Sequence, residues 1–432
     1  MILHLIIKNF GRIESADIAL NNLVVFVGNN NSGKTMVMQL IYGLRKVLGA
    51  FHVSSSGVRE AELNGQPLIR CDQIWLREVE LQINKYLAEK KTRIVEEIFG
   101  SSIPVEEIKI ALEGVETTYF VSSISEYQSW HEGNERVEIS IDTSQYEEGE
   151  NVKTFERRIP DWNHSSKMLD EAVKAVWRII LSENTASESA QLFLPASRSG
   201  LQLLYRYYFA GKTEENLVMP VKDFLRFLQL YTEDNRMDKV RLDLLKFGEE
   251  HLLQGKVVQR GDETFYIESQ GGKIVPLYIA SSMIHELAPF IKALGATQRI
   301  DWLYCDEVEN SLHPLLQGEM ARWLIRMVNA GMHIIISSHS DTMASRLNNL
   351  FMLTQLNKDK ADFKMLSELE LMNADLLRSN VKVGVYEFQS KDEGKTGVEK
   401  LEFISYPMMG YDFQLFSSNL DKLYNEADRI TR

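Results

Sequence analysis

The chain has 432 residues, 44% apolar and 25% charged, the balance of a folded globular protein. At roughly 150 residues per domain, that length predicts two or three domains. Its net charge of −13, from 48 basic and 61 acidic side chains, argues against a chain that wraps nucleic acid over its whole surface. A local basic groove, completed by a second chain, stays open. No run approaches the roughly 18 consecutive apolar residues of a membrane-spanning helix. The opening Met1–Lys8 has no basic lead of the kind a secretory leader carries. Cys71 and Cys305 are too few for a disulfide framework or a four-ligand zinc site, and they fit a reducing cytoplasm.

Ile2–Ile7 predicts a buried strand. Leu23-Val24-Val25-Phe26-Val27 predicts a second, apolar throughout like a central parallel strand covered on both faces. Gly28–Thr35 interrupts it. From Met36 to Leu48, Val37, Leu40, Ile41 and Leu44 recur at helical spacing. Residues 50–275 are less regular. Leu76, Val79, Ile83, Tyr86 and Leu87 mark a helix. Lys109–Leu112, Thr118–Val121 and the alternation Val137, Ile139, Ile141 predict strands of a small antiparallel sheet, and acidic Ser144–Asn151 a loop. Leu169, Ala172, Val173, Val176, Ile179 and Ile180 mark another helix, and Leu192–Pro195 a strand ended by proline. Residues 217–254 predict a helical region without coiled-coil heptads, and Gly261 and Gly271-Gly272 turns beside short strands. From Leu277 the alternation is regular: helix Ser281–Leu294, strand Ile300–Cys305, helix Leu315–Val328, strand His333–Ser337. That order implies a parallel sheet with right-handed crossovers. Strand patterns at Val381–Phe388 and Val398–Ile404, then a helix near Phe413–Ile430, complete the pass.

Gly28-Asn29-Asn30-Asn31-Ser32-Gly33-Lys34-Thr35 fits Gly-x4-Gly-Lys-Thr, between a buried strand and a helix. Such a loop wraps a β-phosphate in backbone N–H groups at a helix N-terminus. Gly33 permits close approach, Lys34 reaches the β and γ phosphates, and Thr35 offers its hydroxyl to magnesium. Gly211-Lys212-Thr213 and Gly394-Lys395-Thr396 are decoys, because Arg206 and Gln389 stand where the first glycine belongs. The loop needs a partner strand ending in a carboxylate, and Leu303–Glu307 supplies one. Asp306 would hold magnesium beside Thr35, and Glu307 would orient and activate the attacking water. ATP and Mg2+ are the cofactors expected.

Asp306-Glu307-Val308-Glu309-Asn310-Ser311-Leu312-His313-Pro314 resembles the acidic strand end and D-loop of ABC-type ATPases, in the SMC, RecF and OLD branch. Ile334-Ile335-Ile336-Ser337-Ser338-His339-Ser340 resembles that branch's H-loop. The resemblance makes His339 catalytic with Lys34 and Glu307. His339 lies 33 residues after Asp306, about one helix and one strand, so both can sit on one edge of a parallel sheet. Leu5-x-Ile7-x-Asn9-Phe10, ahead of the phosphate loop, resembles the same branch. Ile279–Leu287 stands where relatives carry a Ser-Gly-Gly-like signature, with Met283 in place of the usual glycine. The resemblance puts Ser281 on the γ-phosphate of the other subunit's nucleotide; a plain Ser N-cap is the alternative. Pro195-Ala196-Ser197-Arg198 resembles an element of OLD-like and defence-associated ATPases, with Arg198 touching phosphate, bracing the lid or forming a surface pair.

The resemblance covers residues 1–50 and 275–350. It implies an α/β, ABC-ATPase-like P-loop fold. A mixed or parallel central sheet would carry an inserted helical and small β lid region and a short α+β C-terminal extension. The divisions expected are a phosphate-loop lobe at 1–50, a variable α/β insertion at 51–190, and a helical return to the core at 191–275. A second lobe at 276–350 would carry signature, acidic strand, D-loop and H-loop, with the extension at 351–432. The activity implied is ATP hydrolysis by a head-to-tail homodimer or higher oligomer. It would serve as a nucleotide-gated switch or scaffold for a separate effector, as in two-gene bacterial phage-defence systems. The alternatives are a DNA-binding clamp of the RecF repair kind and a scaffold with little turnover. DNA is a possible partner and a membrane is not. OLD proteins add a Toprim nuclease after the H-loop; only about 90 residues remain here, so no nuclease is expected.

Overall fold

A computed structural model describes residues 2–55, 58–63, 66–114, 119–128, 135–143, 153–158, 165–181, 190–210, 217–261, 263–357, 363–391, 394–405, 410–415 and 426. Strands β1 (Ile2–Phe10), β2 (Ile13–Ala19) and β3 (Leu23–Gly28) lead into helix α1 (Lys34–Ala50). There follow β4 (Arg59–Leu63), β5 (Gln66–Cys71), α2 (Gln73–Phe99), β6 (Glu107–Glu113), β7 (Tyr119–Gln128), β8 (Glu135–Thr143), β9 (Lys153–Arg158) and α3 (Ser165–Ile180). Next come β10 (Ala190–Leu194), α4 (Arg198–Ala210), α5 (Met219–Leu230), α6 (Lys239–Phe247), β11 (Gly255–Arg260), β12 (Glu263–Glu268) and β13 (Ile274–Pro276). The chain continues through α7 (Ser282–Gly295), β14 (Ile300–Cys305), α8 (Pro314–Asn329), β15 (His333–Ser338), α9 (Asp341–Asn357), α10 (Phe363–Glu368), β16 (Val383–Ser390) and β17 (Thr396–Leu401).

Nine strands make the central sheet, in the order β10-β14-β15-β3-β16-β17-β2-β1-β6. The first five run parallel, and the β2-β1-β6 end is antiparallel. This is the α/β class with a mixed, largely parallel sheet that the alternation of elements implies. β3 is the fourth of the nine, an inner strand, with Val25 opposite Ile336 on one side and Val385 on the other. Its uninterrupted apolar run follows from that position. Val24 and Phe26 face a core built with α1, α2 and α3, while Leu23, Val25 and Val27 face one built with α7, α8 and α9. A parallel strand buried on both faces favours a near-continuous apolar run. Separate antiparallel sheets hold β4-β5-β7-β8-β9 and β11-β12-β13.

Several elements differ from expectation, β2 and the 217–254 region among them. β2 is absent from the sequence reading because Glu14, Ser15 and Asp17 dilute its apolar pattern; pairing with β1 makes it a strand. The helical region expected at 217–254 is divided by Tyr231–Asp238, where Glu233 bridges to Ala296, and ends in a π-helical turn at Gly248–Leu253. β16 and β17 are strands close to their predicted spans, and β16 lies directly beside β3. The loop expected at Ser144–Asn151 and most of the helix expected at Phe413–Ile430 lie outside the described residues. Among the described residues no helix is long and apolar enough to cross a membrane.

Candidate nucleotide site

Because β3, β14 and β15 are parallel neighbours, their C-terminal ends share one edge of the sheet. Gly28 ends β3, Asp306 follows β14 and His339 follows β15. The phosphate loop owes its shape to two glycines. Gly28 has φ 151°, and a Cβ there would lie 2.6 Å from the Phe388 carbonyl oxygen of β16. Gly33 has φ 96°, and a Cβ there would lie 2.8 Å from Ile13 of β2. Asn31 also takes the left-handed conformation, with φ 61°. Asn29, Asn30 and Asn31 are exposed at the loop's apex, whereas Ser32 is buried. Arg12, from the β1–β2 turn, donates to the Asn31 carbonyl. Lys34 donates to the carbonyls of Gly28 and Asn29, both at 2.8 Å, and to Ser32 Oγ at 3.4 Å. Burial lowers the Lys34 pKa, against the nearby Asp306, Glu307 and Glu309 carboxylates.

The loop and the acidic strand meet directly. The Thr35 hydroxyl donates to both oxygens of Asp306, at 3.0 and 2.8 Å. Ser337, at the end of β15, donates to Asp306 Oδ1 at 2.5 Å and accepts the Glu307 N–H at 2.9 Å. Burial pushes the Asp306 pKa up, against those hydroxyl bonds. Glu307 sits at φ 48°, a left-handed conformation that costs a non-glycine residue on the order of 1–3 kcal/mol and is characteristic of functional turns. His339 places Nδ1 3.9 Å from Glu307 Oε1 and 3.3 Å from Glu309 Oε1. Buried Glu309 also accepts the His339 N–H at 2.7 Å, so it fixes the loop that carries the imidazole. Cys305 lies beside these groups, but burial holds its thiol up at about 12, which leaves it un-ionised.

Ser281 is exposed and holds the N-cap position of α7, yet its side chain makes no capping bond. The structure does not bring it to the other site residues of the same chain by any hydrogen bond. Arg198 is not the surface pair that was one expectation for it: it is 1% exposed. It ion-pairs with Glu286 Oε2 on α7 at 2.7 Å and donates to the carbonyls of Asp306 at 2.9 Å and Glu307 at 3.3 Å. Arg12, Ser337 and Glu309 join the site without having been singled out for it. A serine before the His-Ser pair and a second glutamate after the acidic pair were the available signals.

The donors suit a magnesium nucleotide. Among the described residues no group of three or more His, Cys, Asp or Glu side chains could hold a metal. Magnesium asks for less, since it keeps waters and takes one carboxylate together with substrate phosphates. Thr35 and Asp306 offer hard oxygen atoms, and the loop's backbone sits at a helix N-terminus where anions bind. No curated protein matches the chain significantly. Among solved structures, the SMC head domain from Thermotoga maritima is 9% identical over 93% of this chain and 99% of its own, with a TM-score of 0.36. The Smc head with an extended coiled coil, bound to the C-terminal domain of ScpA derived from Pyrococcus furiosus, is 11% identical, with a TM-score of 0.38 over 100% and 99% of the two chains. A family profile described as "AAA ATPase domain" matches residues 1–344, four-fifths of the sequence, in line with the resemblance carried by the motifs. The chain belongs to the AAA ATPase domain family.

Proposed function

We propose that the chain binds and hydrolyses ATP with Mg2+ at the edge formed by Gly28–Thr35, Asp306, Glu307 and His339. The observation that carries this is the bond from Thr35 to Asp306, residues 271 positions apart that meet as a phosphate loop and its acidic partner must. Backbone N–H groups of Gly28–Thr35 would receive the β-phosphate. Lys34 would exchange the Gly28 and Asn29 carbonyls for β/γ oxygens. Thr35 and Asp306 would hold magnesium, whose charge bridges the β and γ oxygens. Glu307, on its left-handed turn, would orient and activate the attacking water. His339, steadied by Glu309, would face the γ end beside it. Exposed, uncapped Ser281 would complete the site of a second copy in a head-to-tail homodimer or a larger assembly. The biological reading is a cytoplasmic nucleotide-gated switch or scaffold for a separate effector in bacterial phage defence. It rests on the Leu-His-Pro and Pro-Ala-x-Arg resemblances. Replacing Lys34 tests the site: Lys34→Ala should abolish ATP binding or hydrolysis, and wild-type turnover by that variant overturns the assignment.

A further inference from the structure

Strand β15 changes character at its end. After Ile334-Ile335-Ile336 come Ser337 and Ser338, both fully buried. A hydroxyl withdrawn from water costs free energy unless it is bonded, so each of the two needs a partner. Ser338 Oγ accepts the Ser340 N–H at 3.1 Å and so shapes the loop that holds His339. Ser337 meets the neighbouring strand instead. Cys305 of β14 pairs with Ile336, so the next residue on each strand brings Asp306 beside Ser337.

The bonds of the Ser337 hydroxyl have a fixed direction. An N–H can only donate, so the Glu307 N–H, at 2.9 Å, takes a lone pair of the Ser337 oxygen. The hydroxyl proton is then left for Asp306 Oδ1, 2.5 Å away. The result is a chain from the Glu307 backbone through Ser337 to the Asp306 carboxylate, and bonds in such a chain strengthen one another. It joins the carboxylate assigned to magnesium with the residue assigned to the attacking water. Other ties hold the same turn without the Ser337 side chain. The Ser337 carbonyl accepts the Val308 N–H at 3.2 Å, and Arg198 donates to the carbonyls of Asp306 and Glu307. The turn therefore outlasts removal of the hydroxyl. What the hydroxyl alone supplies is the link between the Asp306 carboxylate and the Glu307 amide.

We propose that Ser337 is a positioning residue for phosphoryl transfer, whose hydroxyl aligns the Glu307 turn to the Asp306 carboxylate. The proposal rests on the ATPase reading and is tested by two measurements on the full chain. One is hydrogen exchange of the Glu307 amide without nucleotide or magnesium, read by mass spectrometry with residue-level fragmentation. The other is steady-state hydrolysis of ATP with magnesium. In Ser337→Ala, protection of the Glu307 amide should fall at least about tenfold, the scale of one lost hydrogen bond. The Asp306 amide, bonded to the Leu194 carbonyl at 2.9 Å, should stay protected. The kcat should fall at least about tenfold, since misplacing a reacting group by about 1 Å can cost on the order of a hundredfold. KM for ATP should change less than about threefold, because the phosphate loop is untouched. Ser337→Thr keeps the hydroxyl and suits a strand, so it should restore both protection and kcat. A serine that only satisfies a buried amide predicts a lower melting temperature with kcat per folded molecule unchanged, and that result overturns the proposal. Protection regained without turnover in Ser337→Thr overturns it too, as does a rise in KM as large as the fall in kcat. Should Ser337→Ala not fold, Ser337→Cys keeps nearly the same volume with a far weaker donor and acceptor, and the same outcomes are read from it. If the native chain does not hydrolyse ATP, the ATPase reading fails. If the native chain does and Ser337→Ala matches it, only the role of Ser337 fails.

Discussion

Arg198 does what a lysine could not. Its guanidinium reaches the carbonyls of Pro195, Glu286, Asp306 and Glu307 while pairing with the Glu286 carboxylate. Two of those carbonyls belong to the residues assigned to the metal and the water. Arg198 is therefore a positioning residue, holding the turn on which Glu307 takes its left-handed conformation. Arg198→Lys keeps a charge for Glu286 but loses the planar fork. We expect kcat for ATP to fall on the order of tenfold to a hundredfold, the scale on which misplacing a reacting group acts, with KM little changed. Wild-type kcat in the lysine variant refutes the positioning role; an equal rise in KM would assign it to nucleotide binding. The sequence placed Arg198 in a motif but could not show that it would meet the carbonyls of Asp306 and Glu307, more than a hundred residues downstream. Lys34, Thr35, Asp306 and Glu307 were legible because phosphate chemistry imposes tight local spacing on them. Ser337 and Glu309 were harder to read, since each acts through a backbone group or another side chain.

Helices and strands were legible where one physical demand dominated. β3 and the Ile334–Ile336 stretch of β15 are buried on both faces and read as apolar runs, whereas β2 is a strand through its neighbours and reads as nothing. Helix α7 contains Pro289, which has no N–H for the His285 carbonyl one turn earlier. Gln202 of α4 donates to that carbonyl instead, at 2.5 Å, so α4 and α7 are joined where the helix lost its own bond. The segment after α10 is tied down differently. Asp375 is fully buried, ion-paired to Arg326 of α8 at 2.7 Å and to Arg322 at 3.1 Å. Burial alone would raise its pKa, but bonds from Arg326, the Met372 N–H and Arg322 outweigh that and hold it below the ordinary value of 3.8. Asp375→Asn leaves both guanidinium groups short of a buried counter-charge and should cost about 3–5 kcal/mol at neutral pH. A carboxyl with a lowered folded-state pKa stabilises fully above its unfolded value and loses that contribution as pH falls through the folded one. The stability gap between wild type and Asp375→Asn, measured by denaturant unfolding, should hold from neutral pH to near 4 and narrow below. A gap independent of pH down to 2 would show that packing, not charge, is what Asp375 supplies.

At the scale of the whole molecule, the central sheet separates two tasks. Its C-terminal edge gathers the phosphate loop, the acidic turn and His339, while Ser281 is exposed at the start of α7 and its side chain makes no capping bond. The proposed head-to-tail pairing, in which Ser281 of a second copy completes the site, can be read from solution mass. Glu307→Gln keeps the size and hydrogen bonding of the side chain but removes its basicity. Lys34, Thr35 and Asp306 remain, so binding should persist while the water-activating step fails. Blocking turnover should then accumulate the closed assembly. Light scattering with ATP and magnesium should move the Glu307→Gln chain from 49.7 kDa to twice that mass or more. Adding Ser281→Arg should return it to the monomer, because a long cation at the start of α7 would collide with the facing nucleotide pocket. ATP binding itself should be little changed, since Ser281 makes no bond to its own phosphate loop. If Glu307→Gln hydrolyses ATP at the wild-type rate, the catalytic carboxylate lies elsewhere. If it is inactive yet its mass ignores both ATP and Ser281→Arg, the phosphate loop stands and the shared site does not.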